Sequence, residues 1–163
     1  MEAKLMVYHG SNLYFDAIDL SKSKDNRDFG KGFYTTTIRQ QAEDWAKVLY
    51  DRYKGNGIFV YEMELEFSNN LSIKIFEGLS EDWLLFVQRN RMMGGIQHSF
   101  DIVQGPVAND RTTRTIALYI AGILNVNEAL ERLKYNQINN QISLHTMAAL
   151  SNLKMLRSYS YER

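Results

Sequence analysis

Apolar and polar positions alternate most cleanly over Gly57–Phe67 (GIFVYEMELEF), the period of a strand with one buried face. The same reading predicts strands at Lys4–His9, Phe15–Leu20, Phe33–Thr36, Leu71–Phe76, Phe100–Val103, Asn140–His145 and Leu156–Tyr161. From about Ile38 to Tyr53 the spacing turns helical, with Ala42, Trp45, Ala46, Leu49 and Tyr53 on one face. Ser80 caps a second predicted helix running to Met93, with Trp83, Leu84 and Val87 on its apolar side; Trp83–Phe86 reads as core rather than as a partner groove. Further helices are predicted at Thr112–Ile123, Val126–Tyr135 and Met147–Met155. Ser21–Gly32 is a long charged loop, of the kind that carries function or is mobile. Strands and helices interleave without a regular βαβ alternation, which gives an α+β class. No repeat or linker divides residues 1–163, so one domain is expected.

Composition narrows the classes. Lys plus Arg and Asp plus Glu are both 19, so no global charge favours nucleic acid, although a local basic groove fits within a neutral total. Cysteine is absent, which excludes disulfides, thiolate catalysis and cysteine-ligated metal, and suits a reducing cytosol. No apolar run approaches the ~20 residues needed to cross a bilayer, and Met1-Glu2-Ala3-Lys4 leads straight into a strand without a signal peptide. A cytoplasmic protein without membrane partners is the expectation. His9, His98 and His145 lack metal-ligand spacing, so no metal is expected. Neither G-x-G-x-x-G after a strand nor G-x-x-x-x-G-K-[ST] occurs.

Two segments stand out. Val7-Tyr8-His9-Gly10-Ser11 delivers a histidine from a strand onto glycine and serine, and Phe29-Gly30-Lys31-Gly32-Phe33-Tyr34-Thr35 leads paired glycines into a strand bearing a tyrosine. Each alone has a plain explanation, as a satisfied polar residue and a common turn. Together, and in this order, they resemble the first two motifs of the ADP-ribosyltransferases of the diphtheria toxin and poly(ADP-ribose) polymerase branch, Tyr/Trp-His-Gly-Ser/Thr and Phe-Gly-Lys-Gly-Ile-Tyr. Asn139-Asn140-Gln141-Ile142-Ser143 is similar to the third motif, Asn-Glu-Tyr-Ile-Val, with Gln141 where the catalytic glutamate usually sits. The blocks G-P-V-A-N-D and N-N-Q-I also resemble a group of small bacterial proteins, some of them in toxin–antitoxin-like gene pairs.

The resemblance implies two small packed β-sheets with flanking helices and an NAD cleft between them. Breaking the nicotinamide–ribose bond creates an oxocarbenium-like centre, so the ligand must be held and positive charge stabilised. Nicotinamide in NAD is flat and cationic, which suits Tyr34, with Trp45 as a second wall unless Trp45 is simply helix core. Gly10 lets the backbone approach the carboxamide, with Gly32 in support; His9 suits a ribose hydroxyl pair. Ser11 adds a hydrogen bond or merely ends the strand, and Lys31 meets a phosphate or stays an exposed loop residue. Arg111 and Arg114 read as a solvated helix start.

Gln141 keeps a hydrogen bond but carries no charge and cannot act as a base. Three readings follow: the acceptor is already a good nucleophile, a carboxylate such as Asp110 or Glu43 supplies charge, or the protein binds NAD without turnover. Asp110 after Asn109 also reads as a helix cap. The leading expectation is mono-ADP-ribosyl transfer from NAD to a macromolecular acceptor, protein or nucleic acid, by a toxin with an antitoxin partner. The alternatives are NAD hydrolysis and a non-catalytic module that binds NAD, ADP-ribose or a protein.

Overall fold

A computed structural model of the chain describes residues 3–107, 110–133 and 139–162, with the side chains of 110–113 outside the described residues. It is an α+β protein of two open sheets. The elements run β1 (Ala3–Ser11), β2 (Phe33–Thr35), α1 (Arg39–Tyr53), β3 (Ile58–Phe67), β4 (Ile73–Ile75), α2 (Glu81–Met93), β5 (Ile102–Gly105), α3 (Asp110–Ile120), α4 (Val126–Leu133), β6 (Gln141–Leu144), α5 (Met147–Leu150) and β7 (Leu153–Tyr161). One sheet has the order β1-β3-β7 and is antiparallel throughout; the other has the order β2-β6-β5-β4, with only β4 and β5 parallel.

Alternation decides what each face meets. Val7 of β1, Phe33 of β2, Tyr61, Met63 and Leu65 of β3, Ile102 of β5, and Ile142 and Leu144 of β6 form one buried apolar cluster. The two sheets thus pack face to face, and side chains fill the layer between them. The opposite face of the four-stranded sheet carries Val103, over which Trp83, Leu84 and Val87 of α2, Ile116 of α3, and Ala129 and Leu133 of α4 form a second cluster with Phe29 and Phe76. Helix α1 packs on β1 and β3, on the face of β3 that carries Ile58 and Val60. The expected cleft is therefore not an open slot between the sheet faces.

The two sheets meet at their edges. Tyr8 of β1 and Thr36, just past β2, form an isolated antiparallel bridge, with N···O distances of 2.7 and 2.9 Å. Beyond it the strands part.

Several predicted boundaries move for physical reasons. Phe15–Leu20 is not a strand: Phe15, Ile18 and Leu20 pack individually onto the inter-sheet cluster, and the Phe15 N–H donates to the Tyr61 hydroxyl (2.8 Å). A 3₁₀ turn follows at Leu20–Lys22. The helix predicted over Met147–Met155 stops at Leu150, and β7 begins at Leu153 because Leu153 and Met155 pair with Leu65 and Met63. On α1, Ala42 and Ala46 are buried as expected, but Trp45 and Tyr53 are exposed. The predicted cap at Ser80 is present, its side chain accepting from the Trp83 N–H (3.1 Å), and Trp83 is fully buried. Tyr135 of the helix predicted to follow Val126 lies outside the described residues.

Gly10 has a packing role. A Cβ there would stand 2.0 Å from the Ala42 carbonyl oxygen of α1, and the obstacle is backbone. Gly10→Ala should lower stability by at least about 1–3 kcal/mol, read as a drop in the urea midpoint. An unchanged midpoint would contradict the described approach of α1 to β1.

Candidate functional site

The bridge fixes how β1 presents its next residues. Antiparallel pairing alternates between residues that exchange both backbone bonds with the partner strand and residues that do not. Tyr8 spends its N–H and C=O on Thr36, so the paired position His9↔Tyr61 bonds to β3, while Gly10↔Val60, like Tyr8↔Glu62, points its backbone groups away. The N–H and C=O of Gly10 therefore face the gap that opens past the bridge.

His9 lies on the other face of β1. Its ring stacks on Phe33 (4.2 Å between centroids) and meets Phe15 edge-on (5.8 Å). Nδ1 lies 2.6 Å from the Tyr34 carbonyl oxygen and donates to it. Burial pushes the His9 imidazole down to about 4, with the nearby charge of Arg27 acting in the same direction, so the ring is neutral near pH 7. Nε2 is then an acceptor. No partner for Nε2 is seen among the described residues.

Tyr34 points to the opposite side of β2 from Phe33. Its hydroxyl donates to the Gly30 carbonyl (2.6 Å) and accepts from the Phe29 N–H (3.0 Å), and its ring stacks with Phe29. Burial raises its pKa, so the phenol stays protonated. The Arg27 guanidinium lies over this ring, 5.5 Å from the centroid. His9 and Tyr34 are thus joined through the Tyr34 backbone, with their rings on different sides of β2.

The 25–32 loop is held by partners distant in sequence. Asp25 accepts from the Gly95 N–H (2.6 Å), Lys31 N–H donates to Gly95 O (2.9 Å), and His98 Nε2 donates to Phe29 O (2.8 Å). His145 Nδ1 donates to Lys31 O (2.6 Å), and its Nε2 accepts from the Ser143 hydroxyl (2.7 Å). All three histidines of the chain therefore bond carbonyls of the Phe29–Tyr34 segment. Gly32 is required there, since a Cβ would stand 2.7 Å from both His145 Nδ1 and Leu144 O.

Gln141, at the start of β6, is buried. Its Nε2 donates to Asp28 Oδ2 (3.0 Å) and to Pro106 O (3.1 Å). Asp28 is buried as well, and its Oδ1 bonds both Nε (2.7 Å) and Nη2 (2.5 Å) of Arg91. Asn140 beside it ties the start of α1 to β6, accepting from Thr36 Oγ1 (3.1 Å) and the Thr37 N–H (3.0 Å).

Other candidates are placed elsewhere. Trp45 is exposed and makes no ring contact with His9 or Tyr34 among the described residues. Ser11 is buried, and its hydroxyl accepts from the Leu13 N–H (3.0 Å), which terminates the strand. Glu43 is engaged with Arg39 (3.2 Å) and Tyr161 (2.7 Å), tying α1 to β7, so its carboxylate is committed away from Gln141. Asn109 and the Asp110 and Arg111 side chains lie outside the described residues; Arg114 is exposed. The sequence reading passed over Asp28, Arg91 and Arg27. Nothing local separates Asp28 from Asp25, and only the fold brings Arg91 to it.

Two cavities, of about 330 and 410 Å³, open elsewhere. The first lies among Ile18, Met63, Met147 and Met155, the second around Phe76–Ser80. Among the described residues no group of three or more His, Asp or Glu could hold a metal, and no helix is long and apolar enough to cross a membrane.

Fold and site together define an α+β protein whose sheets part beside a histidine, a glycine backbone and a buried carboxylate–amide pair held by a half-buried guanidinium. A family model described as a protein of unknown function (DUF3990) matches residues 5–155, and the chain belongs to that family. No curated protein and no solved structure matches the chain.

The histidines make stability pH-dependent. Burial also pushes His145 down to about 4, and it lowers His98. In the unfolded chain each ring takes up a proton near the ordinary value of 6.5, while in the fold His9 and His145 resist it until about 4. Their contribution is complete above about pH 7 and is lost as pH falls through that window, by about 1.4 kcal/mol per pH unit for each ring. Urea midpoints should fall steadily from pH 7 to pH 4.5; a flat profile would show that the rings are not buried as described.

Proposed function

We propose that the chain is an ADP-ribosyltransferase-type domain that takes NAD where the two sheets part, and moves its ADP-ribose to a macromolecular acceptor. The observation that carries this reading is the backbone of Gly10, turned away from β3 past the Tyr8–Thr36 bridge and next in sequence to a neutral His9 whose Nε2 has no partner among the described residues. A donor and an acceptor on one peptide segment match the carboxamide of nicotinamide, and a neutral imidazole acceptor matches a ribose hydroxyl. Support also comes from the order of the motifs and from two small packed sheets with flanking helices.

In the reaction, the bond between ribose C1′ and the nicotinamide nitrogen breaks, and its electron pair leaves with nicotinamide, which becomes neutral. The ribose carries the positive charge until an acceptor nucleophile attacks C1′ and releases its proton to solvent. Water in place of the macromolecule gives NAD hydrolysis. In this reading the cationic nicotinamide takes the place of the Arg27 guanidinium over the Tyr34 ring. An antitoxin partner, if the protein is a toxin of the bacterial gene-pair type, would act by covering this gap. Action in the cytoplasm belongs to the same reading.

A second reading, a module that holds NAD or ADP-ribose without turnover, is favoured by two observations. Gln141 carries no charge, and Arg27 lies over the ring on which the nicotinamide would stack.

Tagged NAD incubated with the protein and a cell lysate should label a macromolecule and release nicotinamide. Tyr34→Ala should lower labelling by roughly 100-fold or more; because the Tyr34 hydroxyl also holds Phe29 and Gly30, folding of the variant is checked by circular dichroism. Nicotinamide release without a labelled product selects hydrolysis. NAD binding by calorimetry without release selects the second reading, and no binding at all removes both.

A further inference from the structure

The amide of Gln141 is oriented by its surroundings. Asp28 Oδ2 and Pro106 O both accept from Nε2, so the NH₂ end is fixed toward them and Oε1 points the other way. Oε1 has no partner among the described residues. A carboxylate that draws on the N–H bonds of an amide shifts electron density onto the amide oxygen, and a chain of hydrogen bonds strengthens in a low-dielectric site. Arg91 grips the other oxygen of Asp28 with two nitrogens, which fixes the direction in which Oδ2 faces.

We propose that Asp28 and Gln141 act as one unit, in which Asp28 supplies the negative charge and Gln141 carries it, as a polarised carbonyl oxygen, to the substrate. The inference rests on the NAD-transfer reading of the same site. It places the charge one residue behind the position where a glutamate would hold it. Gln141 is the residue that meets the substrate, bonding a ribose hydroxyl and facing the cationic ribose with Oε1. Asp28 is a positioning residue that acts through Gln141, and Arg91 holds it in place.

A glutamate in place of Gln141 is then not an improvement. Its carboxylate would face Asp28 Oδ2 and Pro106 O with no proton between them, where an amide now donates to both. Combining Gln141→Glu with Asp28→Asn reverses the pair. The introduced asparagine can accept from Arg91 and donate to the introduced glutamate, and the charge moves forward by one residue.

The test is a double-mutant cycle on the full chain, read as nicotinamide release from NAD, with kcat and KM separated and melting temperatures followed in parallel. Asp28→Asn should lower kcat about tenfold or more while KM for NAD stays within about threefold. Gln141→Glu alone should also lower kcat about tenfold or more and reduce the melting temperature. The double variant should regain kcat to within about threefold of the wild type and recover the melting temperature. A purely structural Asp28 predicts that kcat of Asp28→Asn falls only in step with its melting temperature, and that outcome also overturns the proposal. An active wild type with a folded, inactive double variant overturns the proposal, as does a Gln141→Glu variant faster than the wild type. A wild type that releases no nicotinamide with any acceptor overturns the transfer reading, and this proposal with it.

Discussion

The site hangs on one β-bridge. Tyr8 and Thr36 exchange two backbone hydrogen bonds and join the edge of one sheet to the edge of the other, and no second bridge between the sheets is seen among the described residues. Since Tyr8 turns its peptide groups outward there, period-two geometry turns those of Gly10 outward also, and sends the His9 ring inward against Phe33. Register has no slack. A slip of one residue would place the histidine under α1 and bring a side chain into the space beside the Ala42 carbonyl, where even a Cβ does not fit.

The second dependence is on the loop that leads into β2. A long charged segment has a large conformational entropy to lose, and apolar burial offers it only Phe29. It is ordered instead by polar contacts: carbonyls of 29, 31 and 34 go to three neutral imidazoles, Asp25 caps Gly95, and Asp28 pairs with Arg91. Such contacts stabilise only when each partner is satisfied, and among the described residues no buried side-chain donor or acceptor is left over. The histidines thus set the path of the loop, and the loop sets Tyr34.

Much of this was legible in the sequence where the signal is local. Ser80 capping α2, the alternation of Ile58–Phe67 and the small residues of α1 are each fixed by neighbours within a turn or a strand length. The α+β class and the His9 and Gly10 positions follow from such segments. Where the outcome depends on remote partners, the sequence is silent. Phe15, Ile18 and Leu20 look like a strand, but the segment pairs with no edge, and the three side chains pack one by one onto the inter-sheet layer. Leu153 and Met155 continue a plausible helix until pairing with β3 captures them. Trp45 looks like helix core because its spacing is right, yet the buried residues of α1 are Ala42 and Ala46, whose backbone lies against Gly10 of β1. Asp28 is invisible in the same way, as one of several loop carboxylates until the fold delivers Arg91.

The identity of residue 141 is a local electrostatic question before it is a functional one. Two oxygens, of Asp28 and Pro106, converge on this side chain, and the Pro106 carbonyl is shared with the indole N–H of Trp83 (3.2 Å). An amide meets two acceptors with two donated protons; a carboxylate would bring a third acceptor and a second negative charge into a buried site. Asp28 in turn is matched to Arg91, whose half-buried guanidinium bonds its Oδ1 through two nitrogens. Glutamine, aspartate and arginine therefore form a mutually matched set. The residue at 141 follows from the carboxylate behind it, and any account of the site's chemistry has to treat the three as one group.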